Sequence, residues 1–287
     1  MSLVIDDVVV RHDPGANAVP VLFDSPHSGT RYPADFHFVC PLPLLRQAED
    51  AHVDDLFARA PDFGATLICA LFPRSYIDVN RAADDIDPAM LDGVWPGPLA
   101  PTEKSRAGMG LVRHVCRPGL PMYDGRLPVA TVIDRIDRYW RPYHELLAEC
   151  LDRLHGRFGV VYHVNCHSMP SLPRGPYEPP VDFVVGDRDG TTCDPAFARL
   201  VAETLRGMGY TVRFNDPYKG VELVRRYASP FAGRHSLQLE IDRRLYMNEE
   251  TLERTDGYEE LRLSLQRLIR TVCDYAAERV RPLQAAE

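Results

Sequence analysis

Residues 133–168 read IDRIDRYWRPYHELLAECLDRLHGRFGVVYHVNCHS. Ile136, Trp140, Tyr143, Leu147, Leu151 and Leu154 recur there at steps of three or four, so Ile133 to Phe158 is predicted as one long amphipathic helix. Gly159 to Val164 follows as an apolar strand that delivers Asn165, Cys166, His167 and Ser168. The same alternation continues outward. Strands are expected at Val19 to Phe23, Ala65 to Leu71 and Val181 to Val185, and Ser75 to Val79 is expected to be extended. Helices are expected over Leu42 to Ala60, Pro195 to Met208 and Leu252 to Val280. In Ser236 to Asp242, Leu237, Leu239 and Ile241 alternate with Gln238, Glu240 and Asp242, a period-2 strand with Glu240 on its polar side. Strands alternating with helices predict a three-layer α/β/α architecture around a mostly parallel sheet. No repeat or linker divides the chain, so residues 1–287 are expected to form a single domain; the Pro/Gly-rich stretch 84–128 reads as an active-site loop or flap.

Composition narrows the function. Hydrophobic residues at 45% and charged residues at 26% are ordinary for a globular chain. A net charge of −8, without a basic stripe, argues against general nucleic-acid binding. No apolar run approaches membrane-spanning length and the first ten residues lack a signal-peptide pattern, so a cytoplasmic protein with no membrane partner is expected. Seven scattered cysteines without a Cys-x-x-Cys pair indicate neither a disulfide framework nor a zinc ribbon.

Three islands carry the chemistry: Pro26-His27-Ser28-Gly29, Asp78-Val79-Asn80-Arg81 and Asn165-Cys166-His167-Ser168. Each follows an apolar run, and ligands collect beyond the carboxyl ends of strands in an α/β sheet. His27 and His167 can therefore meet. Two neutral imidazoles and a carboxylate make a zinc site with one open position, the arrangement that suits a hydrolase. His163 is in phase with His167 and competes with it. Thr30 stands three residues after His27, so the acid must come from another element, and Glu49, Asp50, Asp54 and Asp55 all crowd the next helix. Arg81 can clamp a carboxylate with its planar fork, Arg74 lies just upstream, and Glu240 suits a general base.

These residues resemble the N-formylglutamate amidohydrolase family, relatives of the zinc carboxypeptidases and aspartoacylases. The resemblance runs through Asp24 to Thr30, Ala51 to Phe57, Arg74 to Arg81, Asn165 to Ser168 and Gln238 to Glu240, and ends at Leu245-Tyr246-Met247. It implies a zinc-carboxypeptidase-like fold of the phosphorylase/hydrolase-like class. It also implies one Zn2+ per chain held by His27, Asp54 and His167, with Glu240 activating water and Arg74 helping the oxyanion. Asn80 and Arg81 would hold a substrate carboxylate. The implied reaction is cleavage of N-formyl-L-glutamate to formate and L-glutamate, of the histidine-degradation type. The partner is then a small acidic N-acyl amino acid, whose second carboxylate would fall to Arg225, Lys104 or Arg106. Deacylation of another N-acyl amino acid, a carboxypeptidase-like peptidase and a metal-free binding module are the rival readings.

Overall fold

The computed structural model describes residues 2–15, 17–172 and 180–280. An N-terminal hairpin, β1 (Ser2–Ile5) and β2 (Val9–His12), precedes β3 (Val21–Ser25), α1 (Leu42–Arg46), α2 (Val53–Leu56) and β4 (Thr66–Ala70). The stretch expected as a loop carries only short elements: a 3-10 turn at Pro88–Met90, β5 (Leu91–Asp92), α3 (Glu103–Arg106), β6 (Val115–Arg117), β7 (Leu120–Pro121) and β8 (Leu127–Pro128). Helical backbone then runs through α4 (Val129–Arg135), a π-helical turn at Ile136–Trp140 and α5 (Arg141–Phe158) into β9 (Val161–Met169). The rest is β10 (Phe183–Gly186), α6 (Pro195–Gly207), β11 (Val212–Phe214), α7 (Glu222–Tyr227), β12 (Arg234–Asp242) and α8 (Gly257–Ala277). No helix among the described residues is long and apolar enough to cross a membrane.

Eight strands form one sheet in the order β1-β2-β4-β3-β9-β12-β10-β11. The central pairs β4-β3, β3-β9 and β9-β12 are parallel, as is β10-β11; β1-β2, β2-β4 and β12-β10 are antiparallel. Side chains alternate across each strand, so β9 has two different faces. Tyr162, Val164 and Cys166 pack with Phe197 and Val201 of α6 and Leu265 and Ile269 of α8. On the other face, Val161 joins Tyr143, Leu147 and Leu151 of α5. The three-layer α/β/α expectation holds, with a mostly parallel sheet in which the β1-β2-β4 edge and the β12-β10 pair are antiparallel.

Three local expectations are corrected. The helix expected over 42–60 divides into α1 and α2, because His52 takes a left-handed backbone (φ 65°) and the Asp50 amide donates to the His27 carbonyl at 3.0 Å. Ser75 to Val79 is not a strand: Asp78 N–H donates to Leu111 O at 2.7 Å, tying this turn to the loop region rather than to the sheet. β9 runs on to Met169, so His167 sits inside a strand and not beyond it.

Candidate active site

Period 2 on the two central strands builds the floor of the site. His163, Asn165 and His167 of β9 share one face, and register sets them opposite Ser236, Gln238 and Glu240 of β12. Asp24 of β3 lies opposite Asn165 on the other side. This polar column is buried throughout, so its groups satisfy one another. His163 lies between Asp24 Oδ1 and Ser236 Oγ, 2.8 Å from each. Four residues of strand, about 13 Å, separate it from His167, so it belongs to the core and not to the cavity.

At the top of the column His167 meets His27, whose loop follows β3. That loop passes so close to the chain after β4 that a Cβ on Gly29 would lie 2.3 Å from Phe72 O. Ser28 Oγ donates to Asp50 O at 2.8 Å and pins the loop to the Asp50 turn. One ligand atom each from His27, Asp50 and His167 lies within 4.8 Å of the others, all buried. His27 and His167 are thus brought together, and the carboxylate between them is Asp50. Asp54 is the correction here: one turn further along in α2, it lines a separate cleft with His12, Leu67 and Cys69. Burial pushes its carboxyl above the usual range, against the backbone N–H groups around it and the His52 charge.

Hydrogen-bond partners fix which nitrogen faces the cluster. Asn165 Nδ2 donates to Asp24 Oδ1 at 2.9 Å, which leaves Asn165 Oδ1 to accept from His167 Nε2 at 2.7 Å. His27 Nε2 likewise donates to Asp78 Oδ1 at 2.7 Å. Both Nδ1 atoms therefore point at Asp50 Oδ2, at 2.9 Å from His167 and 3.3 Å from His27. Imidazole lone pairs converging on a carboxylate oxygen call for a cation between them. The other Asp50 oxygen contacts Arg243 at 3.1 Å and Arg74 at 3.5 Å. Burial would raise the Asp50 carboxyl, but the two imidazoles and the Arg74 charge outweigh it and hold it well below the carboxylate range.

Glu240 lines the same cavity, of about 400 Å3, together with Asn80, Arg81 and Lys104. Gln238 Nε2 donates to its Oε1 at 2.7 Å. Burial pushes the Glu240 carboxyl up, and the Asp50 charge reinforces this against His167 and Arg74. Arg74 is partly buried between Asp78 (2.9 Å) and Asp50. Asn80 Oδ1 accepts from the Leu223 amide at 3.0 Å, while its Nδ2 lies 3.1 Å from His167 Nε2. Arg81 contacts Asp85 loosely at 3.7 Å. Two expected carboxylate binders are not in this cavity. Arg225 is spent on Glu222 of its own helix and is 54% exposed, and Arg106 is exposed at the end of α3.

Sequence reasoning passed over Asp78, Asn165, Arg113 and Arg243. Asp78 and Asn165 stand within the quoted islands, but only the fold shows that they orient the histidines. Arg243, just past β12, reaches back about 190 residues of chain to the Gln47 and Glu49 carbonyls at 2.9 and 2.7 Å, beyond any local pattern.

The N-formylglutamate amidohydrolase family model matches residues 19–247. An N-formylglutamate deformylase of Pseudomonas aeruginosa is 32% identical over 269 residues, covering 91% of this chain and 95% of that protein. That of Pseudomonas putida is 30% identical over 275 residues, with the same coverage. The crystal structure of an N-formylglutamate amidohydrolase from Ralstonia eutropha JMP134 superposes with a TM-score of 0.92 at 48% identity, covering 95% of this chain and 99% of that one. A protein of Agrobacterium tumefaciens, 18% identical with a TM-score of 0.66, shares the fold over 94% and 96% of the two chains. Every island that builds the cavity lies inside the matched span, and the relatives align nearly end to end: the chain belongs to the N-formylglutamate amidohydrolase family, whose members hydrolyse an amide bond.

Proposed function

We propose that this chain is a zinc-dependent deformylase that cleaves the formyl amide of N-formyl-L-glutamate to formate and L-glutamate. The observation that carries the reading is the convergence of His27 Nδ1, His167 Nδ1 and Asp50 Oδ2 beside Glu240 in a cation-lined cavity. His27, Asp50 and His167 would hold the ion, which when bound supplies Lewis acidity and lowers the pKa of water toward about 7. Glu240 removes a proton from the attacking water. Its raised pKa lets the resulting carboxylic acid return that proton to the leaving amine nitrogen. Arg74 supplies a fixed positive charge near the carbonyl oxygen where charge develops, and also anchors Asp50 and Asp78. Arg81 takes the substrate α-carboxylate, with the Asn80 amide beside it.

Metal analysis and formate release test this reading together. Purified protein is expected to carry one zinc per chain and to release formate from N-formylglutamate. Glu240→Gln should keep that zinc and lose about 10²- to 10⁴-fold in kcat, the worth of a positioned general base. Protein that binds no metal and releases no formate would overturn the reading.

A further inference from the structure

Arg113 is a cation of the cavity that the reaction above leaves without a task. It follows α3, where Met109 and Arg113 form an antiparallel bridge that turns the loop over the site. Of the other arginines lining the cavity, Arg74 pairs with Asp78, Arg81 with Asp85 and Arg243 with Asp50, while Arg117 is exposed to solvent. Arg113 is partly buried, and its Nε is sealed from solvent without a hydrogen-bond partner. Among the described residues no carboxylate reaches ion-pair distance of it. Burial, then the charge of Arg74, presses its guanidinium down to about 10 against the opposing charges of Asp78 and Asp50. Lys104 at the rim is lowered for the same reasons, burial first, with Arg113 among the opposing charges. A sheltered guanidinium without an ion-pair partner of its own is costly unless an anion arrives with the ligand.

One carboxylate of the substrate is taken by Arg81, and Arg225 and Arg106 stand outside the cavity. We propose that Arg113, with Lys104 at the rim, grips the side-chain carboxylate of a dicarboxylic N-acyl amino acid and so sets the preference for glutamate-type over glutamine-type substrates. The proposal rests on the deformylase reading above. A guanidinium matches both oxygens of a carboxylate, whereas it gains far less from the neutral amide of glutamine, which presents one acceptor and two opposing donors.

The test compares N-formylglutamate with N-formylglutamine in the full-length zinc-loaded protein. Arg113→Gln is expected to lose about 10- to 100-fold more in kcat/KM on N-formylglutamate than on N-formylglutamine, the scale of a charge-assisted pair of hydrogen bonds. Arg81→Gln should instead lose similarly on both, since both carry the α-carboxylate. Arg113→Lys keeps the charge without the fork, and should show a smaller loss confined to N-formylglutamate; it carries the test if the glutamine variant does not fold. Equal losses on the two substrates, or none, would overturn the proposal. A binding arm separates its failure from that of the deformylase reading. Calorimetry should show wild-type protein binding glutarate more tightly than monomethyl glutarate, with the difference lost in the Arg113 variants. Should wild type release no formate while this loss is seen, the deformylase reading falls and the Arg113 assignment stands. Glutarate bound equally by Arg113→Gln and wild type removes Arg113 from the subsite whatever the turnover.

Discussion

Asp50 and Asp54 stand four residues apart, so on an unbroken helix they would share one face, and no pattern separates them. What separates them is the left-handed turn at His52, which leaves Asp50 ahead of α2, aimed at the histidines, and carries Asp54 to another cleft. The histidines were legible because strand ends in an α/β sheet converge; the acid was not, because its position depends on a helix break stabilised by partners distant in sequence, Ser28 and Arg243. Asp50→Asn is therefore expected to purify without zinc and without formate release, while Asp54→Asn retains both. Asp78→Asn, at a residue that orients His27 and pairs with Arg74, should weaken zinc binding by about 10- to 100-fold, read from competition with a chromogenic chelator. Stoichiometric zinc in Asp50→Asn together with its loss in Asp54→Asn would restore the assignment drawn from the family resemblance.

Among the elements, the helix over 133–158 was readable from its apolar stripe, but the π-helical turn inside it was not. Ile136 and Trp140 fit ordinary helical spacing, and a single widened turn leaves the pattern intact. Its consequence lies in the site. Trp140 Nε1 donates to Arg81 O at 2.9 Å, and the indole stacks on His144 at 3.8 Å. Burial lowers His144 to about 3, so it is neutral; Nε2 donates to Val79 O at 2.8 Å and Nδ1 accepts from Tyr227 at 2.7 Å. The Val79 and Arg81 carbonyls, on either side of Asn80, are thus held from the helix. Trp140→Phe keeps most of the packing and removes the bond to Arg81. It should raise KM for N-formylglutamate by about 2- to 10-fold, the worth of one neutral hydrogen bond, with kcat and zinc content near wild type. A fall in kcat at constant KM would show that Trp140 acts on the chemistry rather than on the clamp.

For the whole molecule, alternating strands and helices announced the parallel centre and the strand at β10, whereas the N-terminal hairpin and the antiparallel direction of β10 did not show, because four-residue strands leave little periodic trace and an apolar run carries no direction. The centre brings three remote segments to one point: the loop after β3, the turn before α2 and the end of β9. An ion bound there would join them, and because the unfolded chain holds no such arrangement, its binding free energy would add to folding stability. With free zinc a thousandfold above its Kd the gain is about 4 kcal/mol, which for a chain of this size corresponds to a Tm shift on the order of 5 to 10 °C. Titrating a chelator into the wild-type protein should lower Tm by that amount, and added zinc should restore it. Asp50→Asn should start at the lower Tm and respond to neither reagent, while Asp54→Asn should follow the wild type. A wild-type Tm indifferent to chelator, in protein shown by metal analysis to have lost its zinc, would mean that the three segments hold their positions without the ion. The buried Asp50 charge would then rest on Arg74, Arg243 and the two imidazoles.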